Sequence, residues 1–202
     1  MNNFKILFIT IGLMFSMNLF ANPIFSDDLL KRATNGDTSA QLELADVYIY
    51  GWGIEENETQ AEFWATKSAE SGNVKAMQWL GEGYATYAGL VGDMDPADAD
   101  EHYKKAFKWF SKGTQLNDAD CMVGLANLYS SGDGVEQDTH KALELRKKAA
   151  ALGNKQAMRD IAFMYEYGLG VKKNLEIAKY WSEKALLHKP ICKGFFSDII
   201  FK

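Results

Sequence analysis

Paired glycines are the first residues in this sequence that could do chemistry. They form three Gly-x-Gly triplets, Gly51-Trp52-Gly53, Gly132-Asp133-Gly134 and Gly168-Leu169-Gly170. Glycine-rich loops of this kind can hold phosphate groups, but a phosphate loop also needs a preceding strand and either a third glycine or a Gly-Lys-Ser/Thr continuation. These triplets have none of those features. Chain reversal explains the glycines, and we expect no nucleotide cofactor.

An acidic segment is the second candidate, because hard cations prefer carboxylate oxygens. Its members are Asp93, Asp95, Asp98, Asp100 and Glu101. The segment lacks the glycine and the terminal bidentate glutamate of a calcium loop. Asp95-Pro96 is typical of a helix N-cap followed by proline at the first helical position. We therefore interpret the segment as a solvated loop without a metal.

The histidines and cysteines complete the reactive side chains. His102, His140 and His188 have neither a metal-ligand spacing nor a nucleophile motif, so we expect them on helix surfaces. Cys121 and Cys192 could form a disulfide in an oxidising compartment, but Cys121 aligns with small core residues, which favours two unpaired thiols. No catalytic or cofactor site follows, and we predict that the protein is not an enzyme.

The N-terminus carries an export signal in this interpretation. Lys5 precedes the apolar run 6–15, and the small residue Ala21 suits the position before a cleavage site. We expect residues 1–21 to be a signal peptide and the protein to be periplasmic or secreted. The apolar run is shorter than the roughly 20 residues that span a bilayer, so we expect no stable membrane insertion after cleavage. An uncleaved membrane anchor is the alternative.

The overall charge bears on the class of partner. The formal net charge of −5 argues against nucleic acid, whose binding depends on clustered lysine and arginine. Only three prolines occur, which favours helix throughout. We therefore expect a protein or peptide partner.

One pattern recurs over residues 36–186. Gly36 and Gly72 lie 36 residues apart, Gly72 and Asn117 lie 45 apart, and Asn117 and Gly153 again lie 36 apart. Each copy holds an alanine and a tyrosine in its first half, a glycine-rich middle, and an alanine and a lysine in its second half. The copies span 36–71, 72–116, 117–152 and 153–186, and the second carries a nine-residue insertion.

This 36-residue pattern resembles the Sel1-like repeat, a longer relative of the tetratricopeptide repeat. The amphipathic spacing of Ala40, Leu44 and Tyr48 predicts a first helix in each repeat, which we call helix A. The glycines reverse the chain, and a second helix, helix B, returns. Trp64, Trp109 and Trp181 supply buried area in helix B. We predict an all-α solenoid of antiparallel helix pairs.

The ends of a solenoid expose apolar faces, which need caps. Residues 22–35 contain an apparent helix B without its helix A, and we predict that they form an N-terminal capping helix. Residues 187–202 carry Phe195, Phe196, Ile199 and Ile200 at helical spacing, which predicts a C-terminal cap. A partner-docking patch at this end is the alternative.

The resemblance implies a binding surface on the inner face of the A helices. The strongest candidates are Asp46, Tyr50, Gln78, Glu82, Asn127, Arg159, Phe163 and Glu166. The same face is predicted to include Ser39, Leu42, Ile49, Lys75, Thr86, Val123 and Ser130. Arg159 and Phe163 are helical neighbours that could anchor an extended acidic-apolar segment. We expect an exported protein-binding scaffold or adaptor. The alternatives are an immunity protein that neutralises a periplasm-acting toxin, or a cell-wall-acting enzyme.

Overall fold

The computed structural model describes residues 24–186, and all regular elements in that range are α-helices. In chain order these are α1 Asp27–Thr34, α2 Thr38–Tyr50, α3 Glu58–Glu70, α4 Val74–Val91, α5 Pro96–Gln115, α6 Ala119–Ser131, α7 Thr139–Ala151, α8 Lys155–Tyr167 and α9 Leu175–Leu186. The A helices are α2, α4, α6 and α8, and the B helices are α3, α5, α7 and α9. The predicted all-α repeat fold is confirmed.

A polar side chain starts each of these helices. An oxygen of Ser, Asp or Asn accepts a hydrogen bond from a free main-chain N–H in the first turn, which satisfies a donor that the helix itself cannot. The capping residues are Ser26, Asp37, Asn57, Asn73, Asp95, Asp118, Asp138, Asn154 and Asn174. Each helix start is therefore encoded locally.

The Gly-x-Gly triplets end three of the A helices, as predicted. Both glycines of every triplet have positive φ, which residues with a Cβ rarely adopt. The second glycine also lies close to the preceding repeat: a Cβ on Gly134 would lie 2.7 Å from the Tyr103 carbonyl carbon, and one on Gly170 would lie 2.7 Å from Thr139. These turns thus set the chain direction and the contact between repeats.

The core runs along the stack, since each helix packs against the next in the chain and α4 also contacts α6. Trp64, Trp109 and Trp181 are at most 6% exposed, which confirms their predicted burial. Lysine ammonium groups cover all three rings. The recorded distances from Lys67, Lys112 and Lys184 to the ring centroids are 5.0, 4.4 and 4.6 Å. Each ring is therefore in cation–π contact with at least one lysine.

The insertion in repeat two, which contains the acidic segment, is helical on both sides of a short turn, so the prediction of that segment as a solvated loop was wrong. It lengthens α4 to 18 residues and α5 to 20, against 13 in each helix of repeats one and three. The added turns bury an apolar cluster of their own. This satellite cluster consists of Ile49, Ala61, Tyr87, Ala88, Val91 and Ala99. Ile49 was predicted on the inner face, but it is buried beneath these turns. The predicted Asp95-Pro96 helix start is confirmed.

At the N-terminal end, α1 packs on α2 and buries Leu29 and Ala33. The predicted signal peptide, the predicted C-terminal cap and Cys192 lie outside the described residues. Within 24–186, none of the helices combines the length and apolar character needed to cross a membrane.

Candidate binding groove

Two adjoining cavities lie along the A helices. The larger, of about 590 Å³, is enclosed by α6, α7, α8 and the turn after α8. The smaller, of about 320 Å³, lies between α4 and α6. Asn127 and Gln156 line both cavities, so they form one continuous depression, which we call the A-helix groove.

Arg146 of α7 lines the larger cavity and is only 7% exposed. Its Nη1 donates to Ser130 Oγ at 2.8 Å, and its Nη2 donates to Asn127 Oδ1 at 2.9 Å. Its Nε lies 3.5 Å from Asp160 Oδ2. Burial lowers the pKa of Arg146 while Asp160 opposes that effect, and a guanidinium keeps its charge in proteins. A fixed cation from a B helix thus joins two neighbouring A helices.

Phe110 of α5 lines the smaller cavity and is 3% exposed. Its ring lies against Gly81 of α4 and Gly124 of α6. A Cβ on either glycine would lie 2.6 or 2.5 Å from a ring carbon, so both positions require glycine for steric reasons. The floor here is therefore apolar and closely packed.

Carboxylates line the smaller cavity, and their hydrogen-bond partners are amides. Gln78 Nε2 donates to Glu82 Oε1 at 2.8 Å, and Asn154 Nδ2 donates to Asp120 Oδ1 at 2.7 Å. Burial raises the pKa of Glu82, the hydrogen bond from Gln78 lowers it, and the charge of Asp120 raises it further. Both carboxylates thus bring negative charge to this cavity.

Asp46 lies farther along the same face, on α2. Its Oδ1 accepts from Trp79 Nε1 at 2.9 Å. Burial raises the pKa of Asp46 to about 6, although the Trp79 hydrogen bond lowers it, and the charge of Glu43 adds to the rise. This carboxyl group therefore titrates well above the usual range for aspartate.

The predicted site residues fall into two groups. Gln78, Glu82, Asn127 and Phe163 line the A-helix groove. The remaining four lie outside its two cavities, namely Asp46, Tyr50, Arg159 and Glu166. Tyr50 stacks on Trp52 with ring centroids 4.6 Å apart, and the exposed Arg159 donates to Gln156.

Sequence reasoning missed the two floor residues. Phe110 and Arg146 occupy the same repeat position, four residues after the helix B alanines Ala106 and Ala142. When the repeats are aligned, Arg146 is the charged residue at a position that otherwise holds apolar or small residues. Because a buried charge requires a partner, such a residue indicates a polar site. A comparison of this position among the repeats could therefore have predicted the larger cavity.

His102 is not a surface residue, contrary to prediction. Its side chain is 14% exposed, its Nδ1 lies 2.8 Å from the Asp98 carbonyl oxygen, and its ring centroid lies 4.4 Å from that of Tyr87. His140 is exposed, as expected. Among the residues that the structure describes, no three His, Cys, Asp or Glu side chains are grouped so that they could hold a metal. We therefore interpret His102 as a packing residue.

Stacked helix pairs with glycine turns and a groove along the first helices define an all-helical repeat protein. The model of the Sel1 repeat matches residues 38–73, 74–118, 119–154 and 155–188. The chain therefore belongs to the Sel1 repeat family.

Similar proteins agree with this assignment. The Sel1-repeat-containing protein YjcO of Escherichia coli is 28% identical over 182 residues, which cover 87% of this chain and 73% of YjcO. The crystal structure of a Sel1 repeat protein from Oxalobacter formigenes superposes with a TM-score of 0.63 at 27% identity, covering 78% of this chain and 61% of that one. This chain spans only 30% and 22% of two further curated relatives.

Sel1 repeats are protein–protein interaction modules, and the family is in general a non-enzymatic scaffold. One relative is an ERAD-associated E3 ubiquitin-protein ligase component, HRD3A of Arabidopsis thaliana. It is 32% identical over 89 residues, which cover 44% of this chain and 13% of HRD3A. The general role of the family is thus binding to other proteins.

Proposed function

We propose that this chain is an exported adaptor that holds a segment of a partner protein in the A-helix groove. The continuity of the two cavities across α4, α6 and α8 carries the proposal. An extended peptide advances about 3.3 Å per residue, so a depression that crosses three helices suits several residues of extended chain. The helix-rich walls provide a rigid surface for that segment.

The side chains around the groove suit such a segment. Asn127 and Gln156 carry carboxamides, which can both donate to and accept from a peptide main chain. Phe163 and Leu169 are 53% and 48% exposed and line the larger cavity, where they offer apolar contact area. Polar contacts for the main chain beside apolar contacts for side chains are typical of peptide-binding surfaces.

Site-specific photocrosslinking in the native cell tests this proposal. A photoreactive amino acid at Gln156 places the probe in both cavities, and one at the exposed Glu144 of α7 is the matched control. We expect one or a few discrete crosslinked products from position 156 and none of these from position 144. Equal products from both positions, or none from position 156, would refute binding in the groove.

The number of products separates the candidate functions. Several partners support a general adaptor, and a single tightly held partner supports the immunity-protein hypothesis. Export is tested in the same cells by fractionation and by the mass of the mature chain, which should begin at Asn22. A cytoplasmic chain that retains residues 1–21 would contradict export.

A further inference from the structure

The smaller cavity of the A-helix groove is lined by negative charge, which restricts the class of segment that it can bind. Glu82 reaches it from α4, and Asp120 reaches it from the first turn of α6. Their recorded partners, Gln78 and Asn154, are neutral amides, which satisfy oxygen lone pairs but leave both negative charges in place.

Cationic side chains in the described part of the chain provide little compensation for these charges. Within residues 24–186, Arg146 is the one cation that lines either cavity, and its guanidinium already faces Asp160 at 3.5 Å. None of the salt bridges recorded in this range includes Glu82 or Asp120. Within the part of the chain that the structure describes, these two carboxylates line one cavity without a salt-bridge partner, which favours a cation as the occupant.

We propose, building on the function given above, that the groove accepts a basic segment, with a lysine or arginine side chain placed between Glu82 and Asp120. Burial is the main cause of the raised pKa of Glu82, and the additional repulsion from Asp120 agrees with this assignment. A bound cation would relieve that repulsion and lower the pKa of Glu82. Binding therefore weakens as the pH falls and Glu82 becomes protonated.

The rest of the segment is placed by the neighbouring residues. Asn127 and Gln156, shared by both cavities, contact its main chain, and Phe163 and Leu169 contact an apolar side chain farther along. An acidic-apolar segment fits less well. Its carboxylate would meet Glu82 and Asp120, whereas Arg159 lies outside both cavities and Arg146 is occupied.

A positional-scanning library of blocked hexapeptides tests the charge preference directly. Each mixture fixes one residue type at one position, and retention is measured on immobilised residues 22–202. We expect mixtures with fixed lysine or arginine to be retained about fivefold better than those with fixed aspartate or glutamate. The preference should shrink when NaCl is raised from about 0.05 to 0.5 M, because salt screens exposed charges.

Two double variants locate the site. Glu82→Gln with Asp120→Asn removes both charges but keeps an oxygen acceptor for Gln78 and for Asn154, so folding is retained. Glu144→Gln with Glu183→Gln makes the same change in net charge on exposed residues outside the groove. The first variant should lose the basic preference and the second should keep it, with circular dichroism confirming that both are folded.

The outcomes distinguish this inference from the function on which it rests. A preference for acidic mixtures, no charge preference, or an intact basic preference in the Glu82/Asp120 variant overturns the basic-segment proposal alone. If no mixture is retained above background, peptide binding in the groove fails as well.

Discussion

Two junctions between repeats solve the same packing problem with opposite chemistry. Between repeats two and three, the Phe110 ring fills the space beside Gly124. Between repeats three and four, Arg146 occupies the equivalent position and faces Asp160, the equivalent of Gly124. The repeat therefore specifies a position and a volume, while the chemistry is chosen separately at each junction as a matched pair.

The first junction follows the same rule with the sizes reversed. Ala65 stands where Phe110 and Arg146 stand in the following repeats, and Trp79 stands where Gly124 and Asp160 stand. Both residues are part of the same hydrophobic core, Ala65 fully buried and Trp79 packed against it. Trp79 Nε1 donates to Asp46 Oδ1, and Arg146 Nη2 donates to Asn127 Oδ1. Asp46 and Asn127 occupy the same position of helix A in their repeats. One large and one smaller residue thus occupy the two positions at all three junctions.

The largest expected effect comes from emptying the apolar junction. Phe110→Ala leaves a cavity between two glycines that cannot fill it, so the free energy of unfolding should fall by about 3–5 kcal/mol. Phe163→Ala, which removes the same ring from an exposed position, should cost less than about 0.5 kcal/mol. Chemical denaturation of both variants measures the difference. Equal losses would show that Phe110 is not a packing residue.

Breaking the ionic junction should have the next largest effect. Arg146→Met leaves Asp160 without its cation, and we expect a loss of about 2 kcal/mol, less than for a fully buried pair because Asp160 is 21% exposed. Adding Asp160→Ala should restore at least half of that loss. A double-mutant cycle measures the coupling, and additive effects would argue against a direct pair.

A smaller loss of stability is expected when one position of the junction between repeats two and three is changed to the residue found at the next junction. Gly113 lies against Cys121: a Cβ on Gly113 would clash with the Cys121 Sγ and would lie 2.8 Å from the Cys121 Cβ. Gly113→Ala should therefore cost about 1–2 kcal/mol through overpacking. Adding Cys121→Ala creates the Ala149/Ala157 pair of the next junction and should recover the part of the loss that the Cys121 Sγ causes, because alanine keeps the Cβ. Thermal unfolding of the three variants tests this, and an unchanged single variant would contradict it.

The smallest effect concerns Asp46 and depends on pH. Its folded pKa of about 6 exceeds the ordinary value of 3.8, so its contribution to stability is greatest below pH 4 and is lost as the pH rises through 6. Asp46→Asn keeps an acceptor for Trp79 and should stabilise the protein by about 1 kcal/mol at pH 7.5 and by almost nothing at pH 4. The variant Asp100→Asn, at an exposed position, is the control. An equal stability difference between Asp46→Asn and the unmodified protein at both pH values would refute the raised pKa of Asp46.

The repeat architecture could be predicted because its signals are local. Positive-φ glycines, Asp or Asn caps and small alanines recur at fixed spacing, and each acts within a few residues. The insertion was misread as a loop because its acidic residues are of a type that is ordinarily exposed to solvent. α4 continues through Gly89 because Tyr87 and Val91 bury against Ile49 and Ala61 of another repeat. That contact has no local signature.

The groove was predictable only in part, for a related reason. Gln78, Glu82, Asn127 and Phe163 share one position or face of helix A, so their placement follows from helical spacing. Arg146 belongs to helix B, where a charged residue is ordinarily assigned to solvent. Its burial depends on Ser130 and Asp160, which belong to other helices and meet it only in the folded stack.

The satellite cluster has a mechanical consequence. It ties the ends of α2 and α3 to the added turns of α4 and α5, so repeats one and two share a second set of contacts besides the main core. Under a stretching force applied to its two termini, the molecule should yield first in repeats three and four, where this brace is missing, and last in the first two. The insertion thus makes repeats one and two more resistant to mechanical unfolding than repeats three and four.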